Sequence, residues 1–255
     1  MKKILLLCLA FAGMSSVLHS AVLVSLSGVS SVGTATNAPT NNVFASNEQS
    51  LNASGQPVDS ALGWRWDTAS SKRDISQSFQ VVSAVTFDKM TFKVGGADLP
   101  SVLQDNSAAT FTLSIYKLSS ASALPSDASA EVVSQQSGSF ASFATGMPTA
   151  SGNITGTKYN YLTFDFDNVS LTDGGYYAVV LSFTATATGY NLAMAMNTNN
   201  SVYTLGTGAV NYNEGGWTGS SDFYFYAQSV PEPKTTAMLF GGVVILASQA
   251  LKRRR

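Results

Sequence analysis

Charge is scarce in this chain. Lys and Arg number 14 and Asp and Glu 15 among 255 residues, so 11% are charged, against about 25% in an ordinary soluble domain. Cysteine and histidine occur once each, as Cys8 and His19, both near the N-terminus. If that leader is removed, the mature chain has neither. That excludes disulfide staples, thiol nucleophiles, Ser-His-Asp catalysis and every zinc site built on Cys or His. Oxygen ligands alone remain, which leaves calcium as the metal to consider, without EF-hand spacing to support it. No Gly-x-x-x-x-Gly-Lys loop is present, and no Gly-x-Gly-x-x-Gly precedes a helix, so phosphate cradles are absent too. Residues 22–233 hold Arg65, Lys72, Arg73, Lys89, Lys93, Lys117 and Lys158 as their only bases against all 15 acids, a net charge of −8. Such a body has no footprint for nucleic acid. Hydrophobic residues, by contrast, reach 45%, enough for a sizeable core. With 21 Gly and abundant Ser, Thr and Asn, the polar surface is nearly neutral, of a kind common outside the cell.

The missing bases sit at the two ends. Met1-Lys2-Lys3 is a basic leader, Ile4 to Met14 an apolar run, and Leu18-His19-Ser20-Ala21 a small-residue exit. This predicts a secretory signal peptide over 1–21, cut near Ser20 or Ala21; an uncleaved anchor is the alternative. Cys8 lies too deep in the apolar run for a lipidation site. At the other end stands Val230-Pro231-Glu232-Pro233, then an uncharged stretch from Thr235 to Leu251, then Lys252-Arg253-Arg254-Arg255. A helix over 235–251 would cover about 25 Å, the short limit for a membrane span. The four terminal bases would stop transfer and stay cytoplasmic. The competing reading is an amphipathic core helix.

Taken in order, Val-Pro-Glu-Pro, a short apolar span and an Arg-rich end resemble the PEP-CTERM sorting signal of Gram-negative bacteria, over residues 230–255. The resemblance implies an exosortase, a membrane protease or transpeptidase-like enzyme, as partner. It would recognise Pro231, Glu232 and Pro233, remove the tail and deliver the body to the envelope, the surface or an exopolysaccharide matrix. The inner membrane would hold the precursor meanwhile. Two prolines keep this segment extended and off any helix, as a protease groove requires. Ser248 and Gln249 depart from the pattern by making the last turn of the span polar. A Pro-rich stalk before a permanent anchor is the other reading of the same residues.

Between the ends, period-two alternation dominates and no fixed-period repeat is visible. Phe111, Leu113 and Ile115 alternate with polar neighbours, as do Leu162, Phe164 and Phe166. Tyr177, Val179, Leu181 and Phe183 follow the same pattern, as do Leu192, Met194 and Met196, and Phe223 and Phe225. Each run predicts a strand with one buried face. The phase slips between Phe87 and Met90, which predicts a bulge near Asp88-Lys89. Gly95-Gly96, Gly152-Asn153, Asp173-Gly174-Gly175 and Gly215-Gly216 mark turns. The sum is an all-β chain with about eight to twelve strands forming a single jelly-roll-like β-sandwich over 58–229. A Ser/Asn-rich stretch over 22–57 precedes it, loosely ordered over 27–57, and Ser119 to Ala130 reads as a long exposed loop. The segments Ser76-Gln77-Ser78-Phe79, Phe111 to Tyr116 and Asn168 to Tyr177 are similar to bacterial surface domains called choice-of-anchor. That likeness implies interchangeable sorting tails and brings no catalytic residues.

Candidate chemistry is thin. Asp165 and Asp167 share one strand face about 6.6 Å apart, so paired-carboxylate glycoside hydrolysis or calcium binding can be asked of them; strand-surface solubility is the plainer role. Trp64 and Trp66 share another face, and Trp217 follows a double glycine. With Tyr159, Tyr161, Tyr224 and Tyr226, which point away from the core aromatics, they offer flat faces for sugar rings; core packing is the alternative. Three functions follow in order of preference. The first is a non-enzymatic envelope or matrix protein, structural or adhesive, linked to exopolysaccharide and needing no cofactor. The second is a carbohydrate-binding module using Trp64, Trp66 or Trp217. The third is a glycoside hydrolase.

Overall fold

The computed structural model describes residues 21–27, 30–31, 37–48, 59–66, 72–95, 103–104, 109–141, 147–148, 158–184, 190–197 and 203–230. Residues 1–20 of the expected signal peptide, the expected 235–251 span and the basic tail at 252–255 lie outside the described residues. Among those described, the protein is all-β with no helix. Its strands are β1 (Leu23–Leu26), β2 (Ser30–Ser31), β3 (Val43–Asn47), β4 (Asp59–Trp66), β5 (Lys72–Gln80), β6 (Val85–Gly95), β7 (Leu103–Gln104) and β8 (Thr110–Leu118). They continue with β9 (Glu131–Ser139), β10 (Met147–Pro148), β11 (Lys158–Leu171), β12 (Tyr176–Phe183), β13 (Tyr190–Asn197), β14 (Gly208–Tyr212), β15 (Trp217–Ser220) and β16 (Phe225–Ser229).

Fourteen of these strands form one sheet, with the path β1-β11-β6-β13-β4-β5-β12-β8-β9. A bridge from Val22 to Gly138 brings its two ends together, so the sheet nearly closes. Closure depends on two strands that change partner along their length. β6 pairs with β16 over Phe87 to Phe92 and with β13 at Val94. β5 pairs with β12 from Ile75 to Gln80 and with β4 only at Lys72 and Arg73. The β4–β13 pair therefore bridges β6 and β5 at one end of the fold.

The period-two runs become strands with their apolar sets buried together. Trp64 is fully buried and stacks on Phe183, with centroids 4.1 Å apart, and meets Phe111, Phe140 and Phe164 edge-on or tilted. A second aromatic group joins Phe44, Phe79, Phe87, Phe166 and Phe225. Each such ring contributes about 1.5–3 kcal/mol by leaving water, which stands in for the absent disulfides.

The phase slip at Asp88 is a register break. Lys89 faces Asp165 and Phe87 faces Val169, so Phe166, Asp167 and Asn168 stand against a single residue. Buried Gln136 of β9 fills the gap: its Oε1 accepts from Asp167 N–H at 2.8 Å and its Nε2 donates to Asp167 O at 3.3 Å. Backbone groups that a bulge would orphan are thus paired.

Two expectations change. The 27–57 stretch is not simply loose, since β2 and β3 lie within it and pair with β11 and β16. The 119–130 segment is not wholly exposed, since buried Ala123 covers Ala178 and Leu118 on the outer side of β12.

Candidate functional site

The bridging end of β4, β5 and β14 gathers three of the body's bases. Arg65 of β4 faces Arg73 of β5, and Arg73 faces Tyr212 of β14. Directly opposed residues on neighbouring strands share a face, so Tyr212, Arg73 and Arg65 form one row across three strands. The Arg73 guanidinium lies 4.7 Å from the Tyr212 ring centre and donates from Nη1 to Gly63 O at 3.2 Å. Burial pushes the Arg73 pKa down, the Tyr212 hydroxyl works against that shift, and the Arg65 charge adds to it. The Nε atoms of Arg65 and Arg73 are both buried without a hydrogen-bond acceptor.

Next to this row Lys72 faces Trp66 and sits 5.1 Å over its ring. Its ammonium also lies 3.6 Å from Asp74 and 3.2 Å from exposed Glu214. Asp74 stands where β5 exchanges β12 for β4. Burial pushes its carboxyl up to about 6, against the opposing pull of Lys72 and a hydrogen bond with Ser182. Its Oδ1 has no partner. Asn213 and Glu214 hold positive φ of 52° and 59° in the β14–β15 turn, closed by Gly215 N–H donating to Tyr212 O at 2.8 Å. This turn sets Tyr212 and Glu214 beside β5.

The proposed sugar platforms fare unequally. Trp64 is 0% exposed and cannot meet a ligand at the surface, which corrects its assignment as a glycan contact. Trp66 and Trp217 are half-buried, and Trp217 pairs with Asn211 beside Tyr212. Tyr159, Tyr161, Tyr224 and Tyr226 do point away from the core aromatics but are buried, which corrects their reading as exposed faces. Tyr159 and Tyr224 lie over Lys93, whose ammonium is 3.4 Å and 5.1 Å from their ring centres, while Tyr161 and Tyr226 meet edge-on at 5.8 Å. Burial raises the Tyr161 and Tyr226 hydroxyls.

Asp165 is ion-paired with Lys89 across β6 and β11. Asp167 follows in the bulge, with its backbone held by Gln136. The Asp165 carboxylate is thus held by Lys89, whereas Gln136 holds only the backbone of Asp167. Among the described residues no three His, Cys, Asp or Glu side chains converge as metal ligands. Of the sorting motif, Val230 is described; Pro231, Glu232 and Pro233 lie outside the described residues.

The Arg65–Arg73 opposition is not visible in the sequence. The available signal was that these are the only arginines outside the C-terminal cluster. No family model, curated protein or solved structure matches the chain.

Proposed function

We propose that this chain is an exported, non-enzymatic protein of the cell envelope or extracellular matrix, with residues 230–255 acting as an exosortase sorting signal. Its body is a jelly-roll-like β-sandwich: one layer is β3-β16-β6-β11-β1, the other β15-β14-β5-β12-β8-β9. Aromatic contacts between these groups support that reading, with Phe44 and Phe225 against Phe79, Phe87 against Phe79, and Phe164 against Phe111. Its role is structural or adhesive, and the matrix polysaccharide is its partner.

The observation that carries this reading is where the described strands end. β16 ends at Ser229, and Val230 N–H donates to Thr86 O at 2.9 Å. The last described backbone tie to the sheet thus falls on the residue before Pro231. An enzyme cutting within Pro231-Glu232-Pro233 would leave every described strand intact. The N-terminal side agrees, since Val22 N–H donates to Ser137 O at 2.9 Å, immediately after the expected signal-peptide cut.

Expressed with an exosortase in a Gram-negative host, wild-type protein is expected to lose its tail, read by intact mass. Glu232→Gln should accumulate as tailed precursor in the membrane fraction. Unchanged processing of Glu232→Gln would remove the motif from the reading.

A further inference from the structure

We infer that the Tyr212–Arg73–Arg65 row is a binding site for a carboxylate-bearing sugar, a uronate. In a body with a net charge of −8, its only two arginines stand directly opposite each other. Like charges so placed repel, and the Arg65 charge lowers the Arg73 pKa. Neither guanidinium has a carboxylate within ion-pair distance among the described residues; the ion pairs there use Lys72 and Lys89. Both Nε–H groups are buried without an acceptor. An unmet buried donor costs about 1–3 kcal/mol, and a fold that could have turned either group toward one of its many acids leaves both unmet.

An anion offsets the paired guanidinium charge that no carboxylate balances among the described residues. Guanidinium forks match a carboxylate in two parallel hydrogen bonds. Opposed residues on adjacent strands have Cα atoms about 5 Å apart, close enough for two forks to share one carboxylate. The ring beside them selects the rest of the ligand. Tyr212 is 44% exposed. A flat aromatic face takes the C–H side of a pyranose, so a charged sugar satisfies the row where a bare anion satisfies only the forks. The site does not depend on the sorting reading, because it belongs to the body and is tested without processing.

The test is calorimetric titration of the full-length chain in mild detergent with tri-galacturonate, with neutral galactotriose as comparison. Tri-galacturonate is expected to bind and galactotriose to bind at least about tenfold more weakly. Binding should weaken with added salt. Arg65→Gln and Arg73→Gln should each reduce affinity about tenfold or more, and Tyr212→Ala should also reduce it, while Lys117→Gln leaves it unchanged.

A second readout separates binding from architecture. Without ligand, Arg65→Gln is expected to melt at or above the wild-type temperature, because it relieves repulsion. An Arg65→Gln protein that melts well below wild type assigns the residue to the fold and overturns the proposal. So does equal binding of the neutral sugar, full binding by both Arg variants, or no binding of tri-galacturonate. If acetate alone protects as well as tri-galacturonate at equal carboxylate concentration, the sugar part of the proposal fails.

Discussion

Asp74 shows how one buried side chain sets a pH response. Burial raises its folded-state pKa to about 6 from an ordinary 3.8. Between those values the folded state holds a proton that the unfolded state has released. Stability therefore falls as pH rises through this window. The Asp74 share of that fall is on the order of 2 kcal/mol. Burial raises Asp222 and Asp88 in the same direction. Urea unfolding of the wild type should thus show a higher midpoint at pH 4 than at pH 7. Asp74→Asn should shrink that difference while keeping a neutral partner for Ser182; an unchanged difference would show that the carboxyl does not titrate in this range. Nothing in Lys72-Arg73-Asp74 announced this, because a charged triplet at a strand end reads as solvated. What buries it is the exchange of β12 for β4 along β5, a tertiary event. Trp64 was ambiguous for a related reason. Period two put Trp64 and Trp66 on one face, but position along the strand decides that Trp64 meets four rings while Trp66 meets Lys72.

At the scale of elements, alternation made β8, β11, β12 and β13 legible, because each has one face committed to a large apolar set. β1 and β3 were not legible, because short Ser- and Asn-rich strands carry little period of their own and gain their pairing from β11 and β16. The bulge opposite Asp88 was legible as a slipped phase, since a register break moves side chains across the sheet. β9 shows what alternation hides. Its Gly138 faces Phe111 and is also the residue bridged by Val22, where the sheet nearly closes. A Cβ there would stand 2.9 Å from Phe111 Cε1 and Cε2 and closer still to Cζ. That ring is wedged among Trp64, Phe140 and Phe164 and has nowhere to go. Gly138→Ala is expected to cost about 1–3 kcal/mol and to lower the melting temperature by roughly 3–10 °C. Gly219 in β15 has open space around its Cβ position, so Gly219→Ala should stay within about 0.5 kcal/mol of wild type. Equal melting of the two variants in a thermal scan would mean that the Phe111 ring yields.

For the whole molecule, the placement of the last described strand within the fold is the most consequential feature. β16 lies between β6 and β3, with Phe225 and Ala227 fully buried, and β3 has no other partner among the described strands. The final strand is therefore interior to the architecture rather than an appended edge. Beyond it, Val230 makes the last described backbone bond, to Thr86. A chain stopped after Val230 should keep the wild-type melting temperature within about 2 °C, because every strand and its pairing remain. A chain stopped after Tyr224 loses β16, strands β3 and exposes one flank of β6. Phe44, Phe79 and Phe87 then lose the Phe225 side of their cluster. Removing about 1.5–3 kcal/mol per lost ring from a domain stable by about 5–15 kcal/mol leaves little margin. That shorter chain is expected to show no cooperative transition by circular dichroism. Should the chain stopped after Val230 also fail to melt cooperatively, residues 231–255 would be part of the folded unit, and a sorting enzyme could not remove them without unfolding its cargo.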